Sequence, residues 1–121
     1  MPEFGNFTSE FGFMNHCRKL SPELFMAELA LTAEAVLVDV RTEEELHDDP
    51  AIPGAIQRDF LQSSFENWLE EIDEHQAYFL YDQSGKRGRM ACEMMAEKGF
   101  LHAGFLEGGK NAWNPVFKSE S

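Results

Sequence analysis

The chain has 121 residues, 43% of them hydrophobic, and a formal net charge of −12. That length fits one domain with a real core, and that charge argues against nucleic acid or anionic lipid as a partner, because both need a basic neutralising surface. No apolar run of membrane-spanning length and no basic-then-apolar leader is present, and two cysteines, Cys17 and Cys92, are too few for a disulfide framework. A cytoplasmic, reducing location is therefore expected, with no membrane association.

Residues 1–16 read as an irregular extension. Phe4, Phe7, Phe11 and Phe13 make it too aromatic for an inert tail. Rings packed on the domain are the expectation, and a partner-binding segment is the other reading. A domain over residues 17–117 follows, with 118–121 as a short tail. "CRKL" reads as a first strand. Ser21-Pro22-Glu23 then starts a helix with a capping hydroxyl, a proline in the first turn and an acid near the positive dipole end. That helix runs to about Leu31. "AVLVDV" is a short β-branched apolar run, hence a buried strand. Thr42 and Glu45 form a capping box for "TEEELHDD", which Pro50 and the turn "IPGA" end. "AIQRDF" reads as a short strand.

"LQSSFENWLEEIDEH" carries Leu61, Phe65, Trp68, Leu69 and Ile72 on one stripe, which predicts a long amphipathic helix. "AYFLY" is a second buried strand. "GRMACEMMAEKGF" is a helix with Met90, Cys92, Met94 and Met95 among its apolar residues, stopped by Gly99. "HAGFLE" is a last strand, and "GGKNAW" opens a final helical turn that Pro115 limits. Strands alternating with helices define an α/β domain with a mainly parallel sheet and helices on both faces.

Charge is unevenly spread along this pattern. Residues 41–75 hold 11 acids against 2 bases, a net of −9, and residues 82–121 hold 5 against 6, a net of +1. Lys86, Arg87 and Arg89 thus form a basic island in an acidic protein. They lie in the loop and helix start after "AYFLY". In such a sheet, ligands bind beyond the carboxyl ends of the strands. Gly85 and Gly88 permit close turns, and successive N–H groups at the positive end of the next helix make an anion nest, with Lys86 and Arg87 as its candidate side-chain donors. A thiol opening that loop would be acidified into a good nucleophile. Asp82 stands there instead.

The motifs "LVDVRTEEEL", "AIPGAI", "YDQSGKRGRMACEMMAEKGF" and "LEGGKNAW", in that order, resemble the rhodanese family over about residues 18–114. The resemblance implies a three-layer α/β sandwich around a five-stranded sheet. In active members it implies transfer of sulfane sulfur through a cysteine persulfide, the cysteine opening a six-residue loop closed by arginine or a similar residue. Here Asp82, Gln83, Ser84, Gly85, Lys86 and Arg87 fill that loop, with Asp82 at the cysteine position. Pro50-Ala51 replaces the Gly-His that often precedes "IPGA".

A carboxylate forms no persulfide, so sulfur transfer by the usual route is not expected. The side chain of Asp82 would instead fill the nest, accept its N–H bonds, pair with Arg87 and repel outside anions. The expected function is a non-catalytic rhodanese-like module for protein interaction or regulation. Its partner is unknown, no cofactor or metal is implied, and a small oxyanion binds the loop only if Asp82 leaves room. The alternative is residual sulfurtransferase activity through Cys17 or Cys92. Cys92 reads better as a small buried hydrophobe, and Cys17 as an ordinary thiol at a strand end. The two lie far apart in the chain with no metal-ligating partner near either.

Other readings of the same residues are weaker. An aspartyl nucleophile of the phosphatase or dehalogenase kind lacks its second acid, since Ser84 occupies that place. Related phosphatases and arsenate reductases use a loop cysteine and one more residue. "GFLEGGKN" has P-loop spacing through Lys110, but Asn111 replaces the magnesium-binding hydroxyl. Asp39 and Arg41 are expected to be a structural charge pair at a strand end. His16, His47, His75 and His102 are scattered and suggest no metal site.

Overall fold

A computed structural model of the chain describes residues 17–118. The Phe-rich extension, residues 1–16, lies outside the described residues, as do 119–121. Ten elements follow in strict alternation: β1 (Cys17–Leu20), α1 (Pro22–Leu31), β2 (Val36–Asp39), α2 (Glu43–Asp48), β3 (Ile56–Gln57), α3 (Ser63–Leu69), β4 (Ala77–Tyr81), α4 (Lys86–Glu97), β5 (His102–Leu106) and α5 (Gly109–Phe117). The strands form one parallel sheet in the order β1-β5-β4-β2-β3. β4 and β5, both central, are buried along nearly their whole length, as parallel strands covered on both faces must be.

The period-two alternation of side chains divides the core into two. Val38, Tyr78, Leu80, Ala103 and Phe105 face α3 and α4, meeting Phe65, Leu69, Ala91, Cys92 and Met95. Leu37, Phe79, Tyr81 and Leu106 face the other way, meeting Phe25 of α1 and Trp113 of α5. Phe25 lies edge-on to Phe79 at 5.6 Å and to Trp113 at 6.2 Å between ring centroids. The result is the expected three-layer sandwich. Among the described residues no helix is long and apolar enough to cross a membrane.

Local chemistry sets most boundaries where the sequence reading put them. Ser21 Oγ accepts from Leu24 N–H at 3.2 Å. Thr42 and Glu45 form the reciprocal capping box. Two helices differ from expectation. α3 spans 7 residues, well short of the predicted stripe. Asp59 and Asp73 each accept from the N–H two residues on, of Leu61 and His75, folding both flanks into turns instead. Leu61 is consequently 64% exposed, while Phe65 and Leu69 stay buried. α5, by contrast, runs through Pro115 to Phe117. Trp113 and Phe117 stack at 4.4 Å and bury the helix face, so tertiary packing overrides the missing N–H.

Candidate functional site

β4 ends at Tyr81 beside β2 and β5, and the chain turns at once into α4, so residues 82–87 sit over the carboxyl ends of the central strands. The turn needs Gly85. Its φ is +100°, and a Cβ there would come within 2.9 Å of Gly108 N. The loop rests on the start of α5. Lys110 and Asn111 donate their N–H groups to the carbonyls of Asp82 and Gln83, both at 2.9 Å. Gly109 makes that approach feasible, because a Cβ there would stand 2.6 Å from the Asp82 carbonyl oxygen. The "LEGG" motif is thus the floor of the loop, a role its sequence alone does not disclose.

Asp82 is fully buried at the loop's base. Its Oδ1 accepts from Gly85 N–H at 2.7 Å and its Oδ2 from Arg87 N–H at 2.8 Å. These short bonds to a carboxylate at the N-terminus of a 12-residue helix combine charge-assisted hydrogen bonding with the favourable end of the helix dipole. Ser84 and Lys86 point to solvent.

The guanidinium of Arg87 pairs with Asp82 only at long range. Its nearest nitrogen is 4.0 Å away. It forks instead onto Glu45 of α2, with Nη1 to Oε1 at 2.9 Å and Nη2 to Oε2 at 2.6 Å. Glu45 is already oriented by its capping box, its Oε1 accepting from Thr42 N–H at 2.9 Å. A preset carboxylate with planar, bidentate geometry outcompetes Asp82, whose oxygens are satisfied by backbone. Of the two candidate anion donors, Arg87 is therefore engaged, and Lys86 is exposed with no ion pair among the described residues.

The Arg87 fork holds the Glu45 carboxyl down to about 2, with Thr42 adding to it against the opposing effect of burial. A folded value below the ordinary 4.5 means a contribution that is complete above about pH 4.5 and fades as pH falls from there toward about 2. Glu45→Gln is expected to cost about 1–2 kcal/mol at neutral pH. In urea unfolding, the gap between variant and parent should narrow steadily through that acid window. A gap independent of pH would contradict the assignment.

Beneath the loop lies a second, buried network. Asp39 and Arg41 are both fully buried. Arg41 Nε and Nη2 reach Asp39 at 3.0 and 2.7 Å, and Arg41 Nη1 reaches Gln83 Oε1 at 2.9 Å. Tyr81 Oη accepts from Ile52 N–H at 2.8 Å; burial first, and the Asp39 charge second, push its phenol far up. Gln83 Nε2 continues to Asn111 Oδ1 at 2.9 Å. Lys110, nearly buried, bonds Asp49 Oδ1 at 2.9 Å and the Pro50 carbonyl at 2.6 Å, so its side chain faces a carboxylate and not an open phosphate site. Burial alone would raise the Asp49 carboxyl, but Lys110, Asn114 and Gln83 more than offset it and leave it far below the usual range. Asp49, Lys110, Asn111 and Asn114 were not legible as a cluster, because their separations of some sixty residues leave no periodic signal.

Neither cysteine belongs to the loop. Cys92 is fully buried on α4, six residues after its start, about 9 Å down the axis. Cys17 opens β1 at the far end of the strands. Distant in sequence, the two are drawn into one part of the core by the fold. Cys17 packs against the same apolar cluster that holds Cys92, because α4 packs across β1.

A parallel α/β sandwich with an N–H nest at the head of its central strand defines a class of proteins that bind or transfer small groups at that loop. Within it, the rhodanese-like domain pattern matches residues 21–115, and the chain belongs to that family. It is 30% identical over 95 residues to a sulfurtransferase of Allochromatium vinosum, covering 78% of this chain and 86% of the relative. A rhodanese-like domain protein of Staphylococcus aureus superposes with a TM-score of 0.69 at 23% identity, over 86% of this chain and 99% of that one. A rhodanese-related protein of Thermoplasma volcanium does so with a TM-score of 0.68 at 20% identity, over 81% and 91%.

Proposed function

We propose that this rhodanese-like domain lacks sulfur-transfer activity at its loop and serves in protein interaction or regulation. The observation that carries the reading is Asp82. Its own carboxylate occupies the N–H groups of Gly85 and Arg87 that would otherwise meet a persulfide or an incoming oxyanion. Sulfur transfer needs a sulfur nucleophile, and a carboxylate cannot hold sulfane sulfur in a stable form. The loop is also well supported without a ligand, since Glu45 takes up Arg87 and α5 supports the backbone from below.

Candidate contact surfaces for a partner are the acidic stretch 41–75 and the basic residues Lys86 and Arg89; the Phe-rich residues 1–16, the third candidate from the sequence, lie outside the described residues. An intracellular, non-membrane setting suits two free cysteines and no spanning helix among the described residues. The sulfurtransferase relative supports the opposite outcome, activity through another thiol. A thiosulfate-to-cyanide assay separates the two. The full chain should form thiocyanate no faster than buffer. Turnover abolished by Cys17→Ser or Cys92→Ala would overturn the proposal.

A further inference from the structure

A groove of about 630 Å³ opens where the chain leaves edge strand β3, between the start of α2 and the flank of α3. Glu43, Arg58, Asp59, Phe65, Trp68 and Glu71 are among its lining residues. Trp68 is its aromatic wall. The ring is half-buried and wedged by Phe65 at 5.8 Å and Tyr78 at 6.4 Å between centroids, so it presents a fixed face. That face is already covered by a cation, the Arg58 guanidinium, 5.0 Å from the ring centroid. The backbone of Arg58 is pinned, its N–H donating to the Asp39 carbonyl at 2.8 Å, but the residue is exposed. Among the described residues its one side-chain hydrogen bond is from Nη1 to the Gln57 carbonyl at 2.8 Å, and no carboxylate pairs with it. Glu43, Asp59 and Glu71 line the same groove, and among the described residues none of them pairs with a cation either. An arginine amid acids ordinarily forks onto one of them. Arg58 takes the indole instead, so the ring is this groove's preferred seat for a guanidinium, and the carboxylates around it stand unused.

We propose that this groove docks an arginine side chain from a basic segment of a partner protein, with Arg58 as the resident stand-in that the incoming arginine displaces. The inference rests on the reading of the domain as an interaction module and names the chemistry of its partner. An incoming guanidinium gains what Arg58 lacks. It takes the face of Trp68 and is offered the carboxylates of Glu43, Asp59 and Glu71 as well. Arginine suits this seat better than lysine, because its planar group stacks on an indole and gives up its weaker hydration at lower cost. The surrounding stretch 41–75, at a net of −9, draws a basic segment in and turns an acidic one away. Displaced, the Arg58 side chain swings into solvent while its backbone keeps the bond to Asp39. The exchange gives up the Arg58 contact, so a lone cation gains little and a segment with several basic residues is selected.

The test is calorimetric titration of the full chain, at physiological salt, with a short peptide alternating arginine and glycine. The same peptide with lysine for arginine has equal charge and measures the general attraction of cations to an acidic protein. The parent should bind the arginine peptide more tightly than the lysine peptide. Trp68→Leu should weaken arginine binding on the order of tenfold and erase the preference. Glu71→Gln, at an exposed position, should weaken it about two- to fivefold. Arg58→Ala should strengthen it, because the change vacates the ring and removes a like charge. If Trp68→Leu does not fold, the other two variants decide. No binding of the arginine peptide, or equal affinity for both peptides, would overturn the proposal. So would unchanged or weaker binding in Arg58→Ala, or no loss in Glu71→Gln. The thiosulfate assay reads the loop and this titration reads the groove, so either reading can fail while the other stands.

Discussion

Arg41→Met is expected to cost about 3–5 kcal/mol, a large part of the 5–15 kcal/mol that holds a domain of this size together. The reason is Asp39. Both side chains are fully buried, and the guanidinium supplies Asp39 with its only opposite charge in contact. Without it the carboxylate keeps the Arg41 N–H at 3.0 Å, which carries no charge. Gln83 loses its Arg41 donor in the same step, so the second residue of the loop is loosened from below. Arg41→Lys should fall between parent and Arg41→Met, because one ammonium cannot fork onto Asp39 and still reach Gln83. The double variant Asp39→Leu, Arg41→Met should recover much of the loss, since replacing a buried pair together removes the uncompensated charge. Chemical denaturation of all four proteins measures this. A loss below about 1 kcal/mol in Arg41→Met, or no recovery in the double variant, would show that water reaches Asp39 and that the pair is not the anchor its burial suggests.

The sequence disclosed what is local and periodic. The strand "AYFLY", the capping box of Thr42 and Glu45 and the turn at Gly85 were all readable, because each depends on residues a few positions apart. The Arg87–Glu45 fork, the Gln83 bridge and the Asp49–Lys110 pair were not, because they join separate loops at the carboxyl edge of the sheet. Reading Arg87 as the partner of Asp82 was reasonable from proximity in the loop. The pair forms only at 4.0 Å, because the backbone N–H groups of Gly85 and Arg87 satisfy the carboxylate and Glu45 takes the guanidinium fork. The P-loop spacing at Lys110 was set aside on Asn111, but the buried ion pair that Lys110 makes instead was not foreseen. The cysteines show the same limit. Only the packing of α4 across β1 brings both into one apolar cluster. Element lengths failed where side chains compete with the backbone, as Asp59 and Asp73 do around α3.

Asp82→Cys is expected to create sulfur-transfer chemistry at the loop. The substitution puts a sulfur atom near the place of the Asp82 carboxyl carbon, at the N-terminus of α4, with the N–H groups of Gly85 and Arg87 already aimed at it. Those donors and the helix dipole favour the thiolate over the thiol. The thiolate attacks the outer sulfur of thiosulfate, the S–S bond breaks, sulfite leaves with the electron pair, and the protein keeps a persulfide. Its terminal sulfur then lies where the carboxylate oxygens lay, within reach of the same N–H groups, and cyanide can remove it as thiocyanate. Mass spectrometry should find one added sulfur that cyanide discharges, and thiocyanate formation should exceed the parent's background on the order of 10²-fold. The gain should stop short of an evolved enzyme's rate, since Glu45 still occupies the Arg87 guanidinium that an incoming thiosulfate would seek. Combining the change with Glu45→Gln frees that guanidinium and should lower the thiosulfate concentration needed for half-maximal rate. If a folded Asp82→Cys protein takes up no sulfur, the loop has lost more than its nucleophile, and Asp82 is a consequence of that loss and not its cause.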